Sequence, residues 1–366
     1  RAGTGGAVVC SQYLGKKMPE KAKLSAGQLM FIMLTSSGTV MILVLFLHRF
    51  LLRTIFGQIE ADVMDAAQIY FLISAISYPF LGVYNAGAAL FRSIGNSKIS
   101  MYTSLVMNVI NIGGNAILIY GAGIGVMGAA LATLIARMVS ALVMVVLLSK
   151  KDNPLCIATP GCMRPQKDVI GKILKIGIPS GIENGMFQIG KLLVSSLTAT
   201  FGTAAIAANA VANSIAGFAN IPGIAIGLAM VTVIGRCIGA GEKEQAKWYS
   251  RKLLGLAYGG MCLTDITLLI LVRPMVGCFS LSGEAFAITV QLLQTFFICA
   301  MLIWPLSFAC SGGCEIYHGS QRVFHVGIPC CKQLFLCRNV ENGRAWRVDR
   351  NVCGLGVPLT LICNTV

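Results

Sequence analysis

Long apolar stretches separated by short clusters of charge dominate this sequence and restrict what it can fold into. A run of about 18 apolar residues is long enough to cross a bilayer as a helix, and several stretches here approach or exceed that length. Only 12% of the residues are charged, whereas soluble domains carry about 25%. Unpaired backbone groups in hydrocarbon are costly, and no stretch alternates like a barrel strand. The sequence therefore predicts an all-α, multi-pass membrane protein in contact with the lipid bilayer.

Nine candidate spans can be assigned, of which the first is a residual half-helix. They are 3–15, 27–52, 66–91, 99–120, 124–148, 172–200, 203–234, 252–280 and 285–309. Lysine and arginine are concentrated in alternate connections: 16–23, 92–98, 150–175 and 236–252. Cytoplasmic loops of membrane proteins carry such an excess, so these connections are predicted to face the cytoplasm. They also account for the net charge of +15, and we predict no nucleic-acid partner.

An internal repeat relates the two parts of the chain. Residues 11–23 align with residues 235–247 at a constant offset, and each segment precedes a long apolar run. Tyr78-Pro79 and Trp304-Pro305 recur at nearly the same offset. Halves of like orientation indicate parallel repeats, related by an axis along the membrane normal. We predict two lobes of about six helices each. They are 1–149, without its first helix, and 172–309, joined by a cytoplasmic connector over 150–171.

The tail, residues 310–366, differs in character from the rest. It contains seven of the 14 cysteines, and its apolar pattern dissolves where the repeat predicts further helices. Its cysteines and histidines match no paired metal-ligand spacing, so we predict no metal site. Reading each codon one nucleotide later permits apolar, helix-like sequences over both 313–325 and 345–356. We therefore expect the tail to be translated in the wrong reading frame after about residue 309.

Sequencing the DNA around codon 310 tests this expectation directly. We expect a one-nucleotide change of frame there, followed by a reading frame that encodes two more apolar spans. A frame that is continuous through codon 310 would contradict the prediction.

Several motifs resemble those of one transporter family. Residues 3–15 resemble the second helix of the MATE (multidrug and toxic compound extrusion) transporters. The segments 78–80, 89–98, 108–111 and 125–133 are also similar to this family, as are residues 178–183 and 235–247. The resemblance covers about residues 1–309, and the order and spacing of the motifs are more specific than any one of them.

This resemblance implies a fold of twelve helices in two six-helix lobes. It also implies export of small organic, cationic substrates in exchange for H⁺ or Na⁺, by alternating access. No other cofactor is expected, and the protein is expected to be a monomer in the plasma membrane. Lacking the first helix and usable last two helices, the chain as written is expected to be inactive. The alternative is a lipid-linked saccharide flippase of a related fold, although few cations such as Arg137 and Lys191 lie within the spans.

Two carboxylates within the spans are candidates for ion coupling, because charge inside the membrane is costly and marks function by default. Glu183 follows Pro179 in its span, and some branches of the resembled family have a functional carboxylate in this helix. Desolvation disfavours a charged carboxyl group, so such a group can exchange a proton near neutral pH. Glu183 could instead bond Lys191 or a helix end. Asp265 is the second candidate, with a structural role as its alternative.

Other candidates are polar residues at helical spacing and prolines within spans. Asn108, Asn111 and Asn115 share one helix face, and Asn209 and Asn213 repeat the spacing of four. They could line a substrate cavity, together with Gln188, or bond one helix to another. Pro79, Pro179 and Pro305 are hinge candidates, since proline kinks helices. No enzyme is predicted, because His48, the only histidine before the tail, has no acidic or nucleophilic partner in sequence.

Overall fold

The protein is helical throughout the residues that its computed structural model describes, which are 2–56, 61–150, 153–157, 164–199, 201–279 and 281–310. No strand occurs within these ranges. The helices are α1 (Ala2–Gly15), α2 (Pro19–Phe56), α3 (Ala61–Ile76), α4 (Tyr78–Ile94), α5 (Ser97–Asn115), α6 (Gly125–Ser149), α7 (Lys167–Ala199), α8 (Thr203–Ala219), α9 (Ile221–Ala240), α10 (Lys243–Gly277) and α11 (Gly283–Cys310). A π-helical segment, Ala116–Gly121, continues α5. The all-α prediction is confirmed, and the tail beyond Cys310 lies outside the described residues.

Six of these helices are long and apolar enough to cross a membrane, and α3 with α4 forms a seventh span if the bent pair is counted as one. The described part of the chain is therefore that of a multi-pass membrane protein. Helices such as α2 and α10 start eight or nine residues before the predicted spans, at Pro19 and Lys243. Their first turns carry charged residues, which are costly to place in lipid.

Two predicted spans are each interrupted by a break between two helices, and a proline lies two residues after each break. The span 66–91 consists of α3 and α4, which meet at Ser77 with a bend of 43°. The span 203–234 is divided between α8 and α9 at Asn220. Pro79 and Pro222 occupy the first turns of α4 and α9, where the missing N–H has no partner to lose. In a continuous helix the proline ring would clash with the carbonyl group four residues earlier, and each break lies within that stretch, two residues before the proline.

The described residues form two compact units. The first comprises the described chain up to Ile189 together with Ala219–Thr264, and the second comprises Gly190–Phe218 and the described chain from Asp265 onwards. The first unit thus contains α1 to α6, α9 and the earlier parts of α7 and α10, so that helices of the second repeat also belong to it. The lobe boundaries predicted from the repeat stay a prediction.

The core of the first unit is built where α1, α2, α4 and α6 meet. Leu29, Leu90, Met144 and Leu148 are completely buried there. Gly87 on α4 allows α6 to come close, because a Cβ at this position would lie 2.9 Å from the Cβ of Met144. Small residues allow such close helix contacts in membrane proteins.

The internal repeat is visible in the helix boundaries and in one reciprocal contact. Helices α2 and α10 start at Pro19 and Lys243, which correspond at the offset of the aligned repeats. Helices α1 and α9 also correspond, and they pack directly against each other. We call their contact the seam and define it by three residues of each helix: Ser11, Gln12 and Gly15 of α1, and Gly235, Arg236 and Gly239 of α9.

Contacts across the seam are related by the repeat. A Cβ on Gly235 would lie 2.6 Å from the hydroxyl oxygen of Ser11, its own counterpart. A Cβ on Gly15 would collide with the carbonyl oxygen of Arg236, and one on Gly239 would collide with that of Gln12. At the repeat offset Gly15 corresponds to Gly239 and Gln12 corresponds to Arg236, so each of these two contacts is the repeat-related copy of the other. Such reciprocity is the mark of a two-fold relation, as the parallel repeat predicts.

Candidate functional site

Asp265 is the most deeply buried carboxylate among the described residues of known exposure. Only 1% of its surface is exposed, and neither carboxylate oxygen has a hydrogen-bond partner within the described residues. A carboxylate taken out of water costs several kcal/mol unless something compensates its charge. Within the described residues no hydrogen bond offsets that cost for Asp265, so this carboxylate is the strongest candidate here for a group that a proton or a cation would neutralise.

The position of Asp265 on α10 explains its burial. Residues at spacings of three or four form one buried stripe along this helix: Leu254, Ala257, Met261, Asp265, Leu268, Val272 and Val276. Every other member is apolar. A leucine would fit the pattern, so the aspartate is not there for packing.

Glu183 lies in the middle of α7, in the first unit. Its side chain is half-buried, and Oε1 is buried without a hydrogen-bond partner within the described residues. The neighbouring Asn184 donates a hydrogen bond to the Ser180 carbonyl oxygen at 2.7 Å, within the helix. Gln188, one turn further on, is exposed. Glu183 thus shares with Asp265 a buried oxygen that could accept a proton or contact a cation, but it is less enclosed.

The asparagines of the first half lie at the contact between α5 and α6. Asn111 donates to Thr133 Oγ1 on α6 at 3.1 Å, and Asn115 donates to Asn111 Oδ1 at 3.3 Å. Asn115 Oδ1 is buried and has no partner among the described residues. Asn108 is exposed. In this arrangement Asn111 connects two helices, while Asn115 retains an acceptor.

A similar relay occurs in the second unit. Asn213 donates to Asn209 Oδ1 at 3.1 Å, and Asn209 donates to Thr198 Oγ1 at 3.4 Å. Asn209 and Thr198 are buried, whereas Asn213 is exposed. The relay joins α8 to the end of α7.

The three hinge candidates differ in their settings. Pro79 lies at the bend between α3 and α4, whereas α7 continues through Pro179 as one helix. Pro305 is inside α11, in a part of the helix whose side chains are not described. Arg137 of α6 donates a hydrogen bond to the Ser77 hydroxyl at the bend, so this cation within a span has a polar partner.

Arg236 and Thr232 were not predicted from the sequence as functional residues. Arg236 Nη2 donates to the carbonyl oxygens of Ser93 and Ile94 at the end of α4, and Thr232 Oγ1 donates to that of Arg92 at 3.1 Å. The aligned repeats offered one signal, since Arg236 corresponds to the neutral Gln12. Within the described residues, no group of three histidine, cysteine or acidic side chains could hold a metal ion.

Comparisons with known proteins agree with this architecture. The family model described as MatE matches residues 2–117 and 179–321. "Uncharacterized transporter YisQ" of Bacillus subtilis is 29% identical over 292 residues, which are 78% of this chain and 63% of that protein. "Probable multidrug resistance protein YoeA" of the same organism is 27% identical over 80% of this chain and 64% of its own length. The chain thus spans just under two thirds of the length of these curated relatives.

Solved structures show the same fold. The outward-facing conformation of a multidrug resistance MATE family transporter of the MOP superfamily matches 91% of this chain and 72% of that chain. The TM-score is 0.76 and the sequence identity is 19%. At this identity the likeness concerns the fold alone.

Proposed function

Because this chain belongs to the MatE family of membrane transporters, we propose that the protein is a secondary antiporter that exports organic cations while H⁺ or Na⁺ enters. Members of this family are carriers and not enzymes. The relative YoeA is named as a multidrug resistance protein, which supports small organic molecules as the substrates. Alternating access of two lobes would carry the substrate across the membrane.

The observation that carries the coupling proposal is the buried carboxylate of Asp265, which has no hydrogen-bond partner within the described residues. Ion coupling needs a charged group inside the membrane that the entering ion neutralises. The group must then release the ion on the other side. Binding of that ion can shift the equilibrium between two arrangements only if one arrangement binds it more strongly. A carboxylate that no described residue of the protein neutralises is suited to this role, because the entering ion can neutralise it. Glu183 is the second candidate, and the coupling ion, H⁺ or Na⁺, is left to experiment.

Ethidium efflux from cells that express the protein, extended to the full length of its relatives, tests this function. We expect efflux to follow an imposed pH jump or an imposed sodium jump, because only the coupling ion supplies the driving force. Cells that express the Asp265→Asn variant are the matched control and should respond to neither jump. Efflux that follows neither ion in the unmodified protein would contradict the proposal.

A further inference from the structure

The carboxyl end of α4 exposes backbone groups that the helix itself cannot pair. The last four carbonyl oxygens of any α-helix have no N–H partner within the helix. Here Gly95, with φ 89°, ends α4 and donates its N–H to the Arg92 oxygen at 2.8 Å. Asn96 donates to the Phe91 oxygen at 3.0 Å. Such a left-handed ending pairs two of the carbonyls, and it leaves those of Ser93 and Ile94.

Helix α9 provides the donors for these two. Arg236 Nη2 lies 3.1 Å from the Ser93 oxygen and 2.5 Å from the Ile94 oxygen. Thr232, one turn earlier on the same face, adds a hydrogen bond to Arg92. The guanidinium also places a positive charge at the negative end of the α4 dipole, which is favourable. A residue of the second repeat therefore pairs the last carbonyl oxygens of a helix of the first repeat.

These contacts adjoin the seam and lie at its basic, cytoplasmic end. Each of the three helices is followed by lysine: Lys16 and Lys17 after α1, Lys98 after α4, and Lys243 after α9. All three helices therefore end on the side that the charge distribution assigns to the cytoplasm. Arg236 itself belongs to the seam, where its carbonyl oxygen faces Gly15. Separating α9 from α1 would therefore withdraw the guanidinium from α4.

We propose that Arg236, assisted by Thr232, is a cytoplasmic latch that stabilises the arrangement in which the two repeats touch at their cytoplasmic ends. The inference deepens the proposed function, since alternating access requires this contact to open before substrate enters from the cytoplasm. Opening exposes the Ser93 and Ile94 oxygens to water, which can replace the lost donors. The latch thus favours the arrangement in which the cytoplasmic ends touch, but the contact can still open.

The relation between the repeats supports a specialised role for Arg236. The seam contacts of Ser11, Gly15, Gly235 and Gly239 are reciprocal. The two repeats can therefore make these contacts without carrying different charges at corresponding positions. The arginine breaks this symmetry, because its counterpart Gln12 is neutral and has a shorter side chain. Simple packing of α1 on α9 does not require a cation at this position.

Hydrogen–deuterium exchange of the 366-residue chain in lipid nanodiscs tests the latch. In Arg236→Gln we expect seam peptides from both α1 and α9 to exchange about tenfold faster, since hydrogen bonds to a charged donor shift an equilibrium by that order. Thr232→Val, which removes a neutral hydrogen bond, should give a smaller acceleration of about threefold. Arg236→Lys keeps the charge and should stay near the unmodified protein.

Arg251→Gln is the matched control, because it removes an exposed cation from the following helix and should leave the seam unchanged. Peptides from α5 and α6 report whether each variant is folded. Faster exchange limited to residues 93–98 would show a simple helix cap and would overturn the latch, as would no change in the seam. The measurement needs no transport, so its failure is distinct from a failure of the proposed antiport.

Discussion

In the protein extended to the full length of its relatives, Asp265→Leu is expected to lower ion-driven efflux at least about tenfold while leaving the protein as stable as before, or more stable. The other members of the buried stripe of α10 are apolar, and leucine has the same branching and the same number of non-hydrogen side-chain atoms as aspartate. Replacing a buried charge by a well-packed apolar residue is commonly neutral, or stabilising by about 1–4 kcal/mol. Loss of the exchangeable group removes the coupling, and a change of about 1.4 kcal/mol already corresponds to tenfold.

The two measurements are efflux after an ion jump and the apparent melting temperature in detergent. Asp168→Asn is the control, since Asp168 is exposed in the first turn of α7 and should affect neither. Glu183→Gln, measured in parallel, is expected to lower efflux less than Asp265→Leu does. The side chain of Glu183 is half-buried, and only its Oε1 is buried without a hydrogen-bond partner within the described residues. If Asp265→Leu lowered stability and efflux together, the carboxylate would be a structural group with an unseen partner.

The helical, multi-pass architecture could be predicted because apolar length alone determines what can lie in a bilayer. The aligned segments 11–23 and 235–247 likewise pointed to two related helices, and the structure packs those helices against each other. The spacing of the asparagines placed Asn111 near Asn115, and Asn209 near Asn213, in the same way. These are features that follow from local sequence and from helix periodicity.

The depth of Asp265 could not be predicted, because lipid is as apolar as a protein core. In a soluble helix a polar face identifies the buried face opposite to it, but α10 also presents Leu256, Leu263 and Ile270 on its exposed side. Nothing in the sequence therefore says which stripe is inside. Arg236 was missed for a related reason: its partners on α4 are more than 140 residues away and are backbone atoms, which leave no sequence pattern.

Gly239→Ala is expected to destabilise the protein by about 3 kcal/mol, although it adds a single methyl group. The new Cβ would overlap the carbonyl oxygen of Gln12, and the other nearest atoms also belong to the α1 backbone. A flexible side chain could turn away, but a helix backbone cannot, so α1 and α9 must separate. The two-fold relation of the seam predicts a similar loss for Gly15→Ala, whose Cβ would meet the Arg236 backbone.

Gly227→Ala makes the same chemical change in the same helix, where nothing lies within 4 Å of the added Cβ. Alanine favours the helix over glycine by up to about 1 kcal/mol, so this control should be neutral or slightly stabilising. Gly239→Ala should thus lower the apparent melting temperature, whereas Gly227→Ala should leave it unchanged or raise it slightly, as measured by size-exclusion chromatography after heating in detergent. Equal melting temperatures for the two variants would mean that the seam is not the close helix contact on which both the repeat relation and the latch depend.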